Sequence, residues 1–160
     1  MSSSSTPLLE VKGLTKYFPV KGGIFGRAVD RVHAVDGVSF DIAAGETLGM
    51  VGESGCGKST LLRIVADLLP SSTGSVVVNG KSAHQARLDR EYGFVFQAAT
   101  LYAWRTIAKN VQLPLELMGY SAEEREARVQ KMLEMVELEA FADHYPAQLS
   151  GGMQQRASIA

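Results

Sequence analysis

The densest chemistry in the chain is the run Gly52-Glu53-Ser54-Gly55-Cys56-Gly57-Lys58-Ser59-Thr60. Its frame, Gly52-x-x-x-x-Gly57-Lys58-Ser59, matches the phosphate-binding P-loop pattern in full. Glycines let backbone N–H groups converge on an anion, because no Cβ blocks the approach. A helix beginning near Lys58 would aim its unpaired N–H groups and its positive dipole end at the same anion. Lys58 adds a point charge for the β- and γ-phosphates. The Ser59 hydroxyl is a hard oxygen ligand suited to magnesium. Together these residue types point to the phosphates of a purine nucleotide bound with magnesium. A chance match in a chain this long occurs about once in two hundred sequences. Cys56 reads as a small filler whose backbone N–H does the work, not as a redox group.

Such a loop needs a strand leading in and a helix leading out. The apolar run Thr47–Val51 (Leu48, Met50, Val51) supplies the strand, and Lys58–Leu69 supplies a helix that ends at Pro70. Before the loop, Leu8–Phe18 and Val32–Ile42 read as strands, separated by a glycine-rich loop from Lys21 to Arg31. After it come a strand at Ser75–Val78, a tight turn at Asn79-Gly80, and a short apolar strand at Gly93–Phe96. The second half is helical. Thr106–Met118 forms a helix that Pro114 should start or kink. Ser121-Ala122-Glu123-Glu124 is a capping box, followed by Val129, Met132, Leu133 and Val136 on one helical face. A last helix covers Ser150–Ala160.

Bulk properties narrow the class. The 160 residues are 46% apolar and 21% charged, the balance of a globular chain. Net charge is −1, so no overall field suggests nucleic acid as a partner. No run of eighteen apolar residues is present. Residues 1–7 read as a serine-rich tail rather than a signal peptide. The single cysteine allows no intrachain disulfide and no cysteine metal cluster. These features fit a cytoplasmic protein.

A second constellation is Leu149-Ser150-Gly151-Gly152-Met153-Gln154-Gln155-Arg156. It places a helix N-terminus and a serine hydroxyl just where a second anion would be held. This octapeptide resembles the signature sequence of the ATP-binding cassette (ABC) proteins, with Met153 at a position where the family often has Gln. Gln97, after Gly93-Phe94-Val95-Phe96, resembles the family's Q-loop glutamine. The order is also the family's: P-loop, Gln97, signature, at separations of 39 residues (58 to 97) and 53 residues (97 to 150). The resemblance runs from Leu8 to Ala160.

The resemblance implies an α/β fold: a P-loop NTPase of ABC type with a helical subdomain. Residues 8–97 would be the ATP-binding core and 98–160 the helical subdomain carrying the signature. It implies that Phe18, or Tyr17 beside it, stacks on adenine. Gln97 would contact Mg2+ and the attacking water, and the loop Ala98 to Arg105 would touch a transmembrane permease subunit. Ser150, Gly151, Gly152 and Gln154 would act in trans on the nucleotide of a second cassette in a head-to-tail dimer. The implied function is the ATP-binding subunit of an importer, peripheral on the inner face of the cell membrane. Tyr17-Phe18-Pro19-Val20-Lys21-Gly22-Gly23 and Val32-His33-Ala34-Val35-Asp36 resemble oligopeptide and dipeptide importers. Thr100-Leu101-Tyr102-Ala103-Trp104-Arg105-Thr106 is more similar to importers of nitrate, sulfonate and taurine.

The family continues with a strand bearing the Walker B Asp and the catalytic Glu, and later a switch His. The sequence is read as truncated before that strand, so no catalytic residue is assigned within it. His33, His84 and His144 precede the signature and read as surface or packing residues. Two alternatives stay open at this point. One is a truncated nucleotide-binding module without turnover, and the other a soluble ABC ATPase not tied to transport.

Overall fold

A computed structural model describes residues 7–22 and 27–160. The expected tail, apart from Pro7, and Gly23–Gly26 of the expected glycine-rich loop lie outside the described residues. The chain divides into two compact units, 1–93 and 94–160.

In the first unit, β1 (Leu9–Gly22) and β2 (Arg27–Ile42) form a long antiparallel hairpin. Pairing extends through Lys21↔Ala28 and Gly22↔Arg27, so most of the expected Lys21–Arg31 loop is ladder. On the other side of β1 runs β3 (Thr73–Val78), which turns through Asn79-Gly80 into β4 (Lys81–Ser82). Both turn residues have positive φ, 50° and 76°, as a two-residue hairpin turn requires. The sheet order is β2-β1-β3-β4, antiparallel throughout.

Helix α1 (Lys58–Val65) buries Leu61 and Ile64 against Val11, Leu14 and Val35 of the sheet. Each such side chain contributes about 1.5–3 kcal/mol on burial, which anchors the loop in front of it. The helix is shorter than the sequence suggests. Asp67 adopts φ 49°, and the N–H groups of Asp67 and Leu68 bond back to Ile64 O (3.0 Å) and Arg63 O (2.8 Å). This left-handed C-terminal motif closes the helix before Pro70 is reached. The Asp67 carboxylate then accepts from Arg87 Nε (2.9 Å) and contacts His84 Nδ1 (3.0 Å), both on α2 (Ala83–Leu88).

Two expected strands do not form. Thr47–Val51 and Gly93–Phe96 join no ladder among the described residues. An apolar run becomes a strand only when a neighbour takes its backbone N–H and C=O groups, and the sheet here is completed by β1–β4. Met50 packs on the core while Val51 stands 97% exposed.

The second unit is built from α3 (Ile107–Leu117), α4 (Ala122–Met135) and α5 (Gly151–Ile159), with 3-10 turns at Glu139–Phe141 and Pro146–Gln148. Its core gathers Ile107, Val111, Val129, Leu133, Leu138, Leu149 and Ala157. Pro114 sits inside α3 and the helix continues through it, so it does not start the segment. The capping box at the head of α4 is complete. Ser121 Oγ accepts from Glu124 N (3.3 Å), and Glu124 Oε2 accepts from Ser121 N (3.0 Å).

Candidate nucleotide-binding site

Among the described residues, four of the five α-helices carry a serine or threonine whose side chain caps the first turn: Ser82, Thr106, Ser121 and Ser150. Helix α1 does not. Its N-cap is Gly57 in the left-handed region (φ 93°), with no side-chain cap. The first N–H groups of α1 therefore meet the loop with no side-chain oxygen on them. A Cβ at Gly57 would lie 2.0 Å from Ala34 O, so only glycine lets the loop close this tightly on β2. A Cβ at Gly52 would lie 2.6 Å from Cys56 Sγ. Gly55 turns the loop at φ 84°, and Cys56 N bonds back to Glu53 O at 3.3 Å.

Lys58 folds its ammonium over this loop. Nζ donates to Gly52 O (2.5 Å), Glu53 O (2.7 Å) and Cys56 Sγ (3.3 Å). The Lys58 ammonium beside Cys56 holds that exposed thiol below its ordinary range. Neutral carbonyls are weaker acceptors than phosphate oxygens, so an anion in the loop competes well for the same donor. Positive charge, free N–H groups and close backbone approach thus meet at one place. Glu53, Ser54 and Ser59 are exposed at its rim, and Thr60 follows on α1.

Beside the loop lies a cleft of about 450 Å³, lined by Cys56, Gly57 and Lys58 of the loop and by His33, Val35 and Asp36 of β2. That volume suits a small ligand. The two aromatic candidates separate. Tyr17 lies opposite His33 in the β1–β2 register, its ring 4.2 Å from the imidazole. Phe18 has the Lys16 ammonium 5.2 Å from its ring centroid. His33 and Asp36 are the cleft residues that sequence reasoning passed over. Only the long-range register reveals them, because nothing local marks a lone His in a strand.

Gln97 and the signature lie in the other unit, 94–160, whereas the P-loop lies in 1–93. Gln97 is exposed. The carbonyl just before it, Phe96 O, accepts from Gln155 Nε2 at 3.1 Å, tying this segment to the signature helix. Ser150 Oγ accepts from Met153 N (3.3 Å), which leaves its O–H to donate elsewhere. Gly151 and Gly152 are exposed on the first turn of α5. Gln154 turns inward, its Nε2 donating to Pro146 O (2.9 Å) and Leu149 O (3.1 Å). It braces the loop before the signature.

The family model for ABC transporters matches residues 35–160, a span that takes in the P-loop, Gln97 and the signature. The chain belongs to the ABC transporter family. Relatives of this ABC chain include an uncharacterized ABC transporter ATP-binding protein of Methanocaldococcus jannaschii, 46% identical over 152 residues, covering 95% of this chain and 54% of that protein. The methionine import ATP-binding protein MetN of Cupriavidus metallidurans is 42% identical, with 96% and 44% covered. The taurine import ATP-binding protein TauB of Rhizobium johnstonii is 41% identical, with 96% and 55% covered. The chain thus spans about half the length of these curated relatives. A solved dimeric ATP-binding cassette in a post-hydrolysis state, bound to ADP and Pi, superposes with a TM-score of 0.80 at 36% identity. It covers 94% of this chain and 67% of that one. The fold is that of ABC ATPase cassettes, and the family binds ATP. No helix among the described residues is long and apolar enough to cross a membrane.

Proposed function

We propose that this ABC chain is the ATP-binding part of an importer, in which ATP binding and hydrolysis by the whole protein drive solute uptake. The observation that carries the reading is the N-terminus of α1, which has no side-chain cap and stands beside the Lys58 ammonium bound only to the Gly52 and Glu53 carbonyls and the Cys56 sulfur. ATP phosphates would take the place of the Gly52 and Glu53 carbonyls as acceptors of the Lys58 N–H groups. The α1 N–H groups would hold the remaining phosphate oxygens.

Magnesium fits the donor set. The Ser59 hydroxyl is exposed beside the loop. Magnesium favours a few hard protein oxygens completed by water and phosphate. When bound it would neutralise charge on the β- and γ-phosphates. Ser59 would be its protein ligand beside the loop.

The signature supports a site shared with a second cassette. Gly151 and Gly152 are poor helix formers, and apart from their chain neighbours and the helix's own backbone no described atom lies within 4 Å of where their Cβ would be. Their own packing gives no reason for glycine; close approach of a partner's nucleotide gives one. Ser150 would then donate its free O–H to the γ-phosphate in trans, with Gln154 bracing the loop behind it. Tyr102 and Trp104, exposed with rings 4.9 Å apart, stand on the loop Ala98 to Arg105 and would face a transmembrane permease subunit. The protein would accordingly sit at the inner face of the membrane.

Light scattering of the full chain tests the shared site. Mg-ATP should convert monomer to dimer. Ser150→Arg should abolish the dimer while ATP binding persists. ATP binding with no change of mass, at concentrations that saturate the site, contradicts the shared-site reading.

A further inference from the structure

A second cleft, of about 550 Å³, opens within the unit 94–160, between α3, α4 and the 3-10 turn Glu139–Phe141. Its α4 wall is the stripe Ala122, Glu126, Val129 and Leu133, residues three or four apart and so on one helical face. At the rise of an α-helix that stripe runs about 16 Å, or about three turns. The cleft stays open because its walls carry small side chains, Ala108 on α3, Ala122 on α4 and Ala142 after the 3-10 turn. Buried Val129 and Leu133 make its apolar floor. Its rim is acidic. Glu126, Glu139 and Asp143 line it against one ammonium, Lys109. All four are exposed, and among the described residues none of them is in an ion pair. The segment bearing Glu139 and Asp143 is tied to α3, whose first N–H groups, on Ile107 and Ala108, donate to His144 O (2.8 Å) and Ala142 O (2.9 Å). The groove is thus formed before a partner arrives, so less freedom is lost on binding. The loop Ala98–Arg105 packs on another face of α3, where Asn110 bonds to the backbone of Tyr102 and Arg105.

We propose that this groove receives an amphipathic helix of a partner protein, one with Lys or Arg on the flanks of an apolar stripe. A helix in a groove is anchored by apolar side chains about one turn apart, and the α4 stripe repeats at that spacing. Basic flanks complement the three rim carboxylates, which speeds encounter and fixes orientation. A small polyamine would satisfy the carboxylates and leave the apolar floor wet. The partner is separate from the permease subunit assigned to the loop Ala98–Arg105, because the two surfaces use different faces of α3.

Fluorescence anisotropy of a labelled Leu/Lys amphipathic peptide of about five helical turns, titrated with the full chain at about 0.15 M salt, tests this. Binding should saturate, and a Leu/Glu peptide of the same pattern should not bind. Ala122→Trp fills the groove without altering its charge and should weaken the Leu/Lys peptide at least about tenfold. Glu139→Lys combined with Asp143→Lys should weaken it as much. Asp41→Lys combined with Glu123→Lys, an equal change of charge outside the groove lining, should alter it less than about twofold. Circular dichroism checks that each variant keeps the parent fold, and the charge pair carries the test if Ala122→Trp does not. The proposal is overturned if the parent chain does not bind the peptide, or if Ala122→Trp folds and binds it unchanged. It is overturned if both charge pairs weaken binding alike, since the attraction would then be to the whole chain. Displacement of the peptide by an equal concentration of spermine would make the groove a plain cation site and overturns it too. So does a dimer of the parent chain, seen by light scattering without peptide, that Ala122→Trp abolishes, because the groove would then belong to a second copy.

Discussion

Gly57→Ala separates two effects that usually arrive together at a phosphate loop. The first is conformational. Gly57 has φ 93°, and an L-residue held there costs about 1–2 kcal/mol. The second is steric. The new Cβ would lie 2.0 Å from Ala34 O, a backbone atom of β2 that cannot rotate away. Relief requires the loop and β2 to part by roughly 1 Å or more, a shift that a close-packed interior resists. Gly55→Ala isolates the first effect, since φ is 84° there and nothing lies within 4 Å of its Cβ. Urea unfolding followed by circular dichroism should place Gly55→Ala about 1–2 kcal/mol below the parent chain and Gly57→Ala about 3 kcal/mol or more below it. Gly57→Ala should also lose Mg-ATP binding. Equal destabilisation by the two variants would show that the loop does not press against Ala34 as described.

Asn110 should matter for stability. It is 8% exposed, its Oδ1 accepts from Tyr102 N (2.7 Å), and its Nδ2 donates to the carbonyls of Tyr102, Arg105 and Thr106 at 3.0–3.1 Å. Asn110→Ala should cost about 2–4 kcal/mol by leaving Tyr102 N and Arg105 O without their partner, read by urea unfolding with Trp104 fluorescence; the Tyr102 and Thr106 carbonyls keep the backbone N–H groups of Arg105 and Asn110. Cys56 should alkylate with a pH midpoint below the ordinary thiol value of about 8.5, because Lys58 stabilises the thiolate. Lys58→Ala should raise that midpoint in a rate-against-pH series, and bound Mg-ATP should slow the reaction. Asp67 carries an acid-side dependence. Arg87 first, then His84, lowers its carboxyl below the usual range. Its stabilising contribution should be full above about pH 4 and be lost as pH falls through the lowered value. The gap between the parent chain and Asp67→Asn in urea midpoint should accordingly shrink between neutral pH and pH 3.

Legibility in the sequence followed how local each feature is. The P-loop, the signature turn, the Ser121–Glu124 box and the Asn79-Gly80 hairpin are each set by a few neighbouring residues, and each takes the geometry its residue types dictate. The longer hairpin was hidden because glycines at 22 and 23 read as loop, whereas the ladder persists to Gly22↔Arg27. Helix α2 is too short to show a period. Thr47–Val51 and Gly93–Phe96 have strand composition, but strand identity depends on a partner that composition cannot supply. The Tyr17–His33 pairing is a register fact between residues on different strands. The left-handed turn at Asp67, which ends α1 early, depends on a residue that tolerates that conformation without demanding it.

The most direct test of the ATP site is calorimetric titration of the full chain with Mg-ATP beside Lys58→Ala. Saturable binding near one ATP per chain, weakened at least about tenfold when the two charge-assisted donors of Lys58 are lost, is expected. Equal ATP binding by the two chains, or none by the parent chain, would contradict an ABC-type ATP site at Gly52–Thr60.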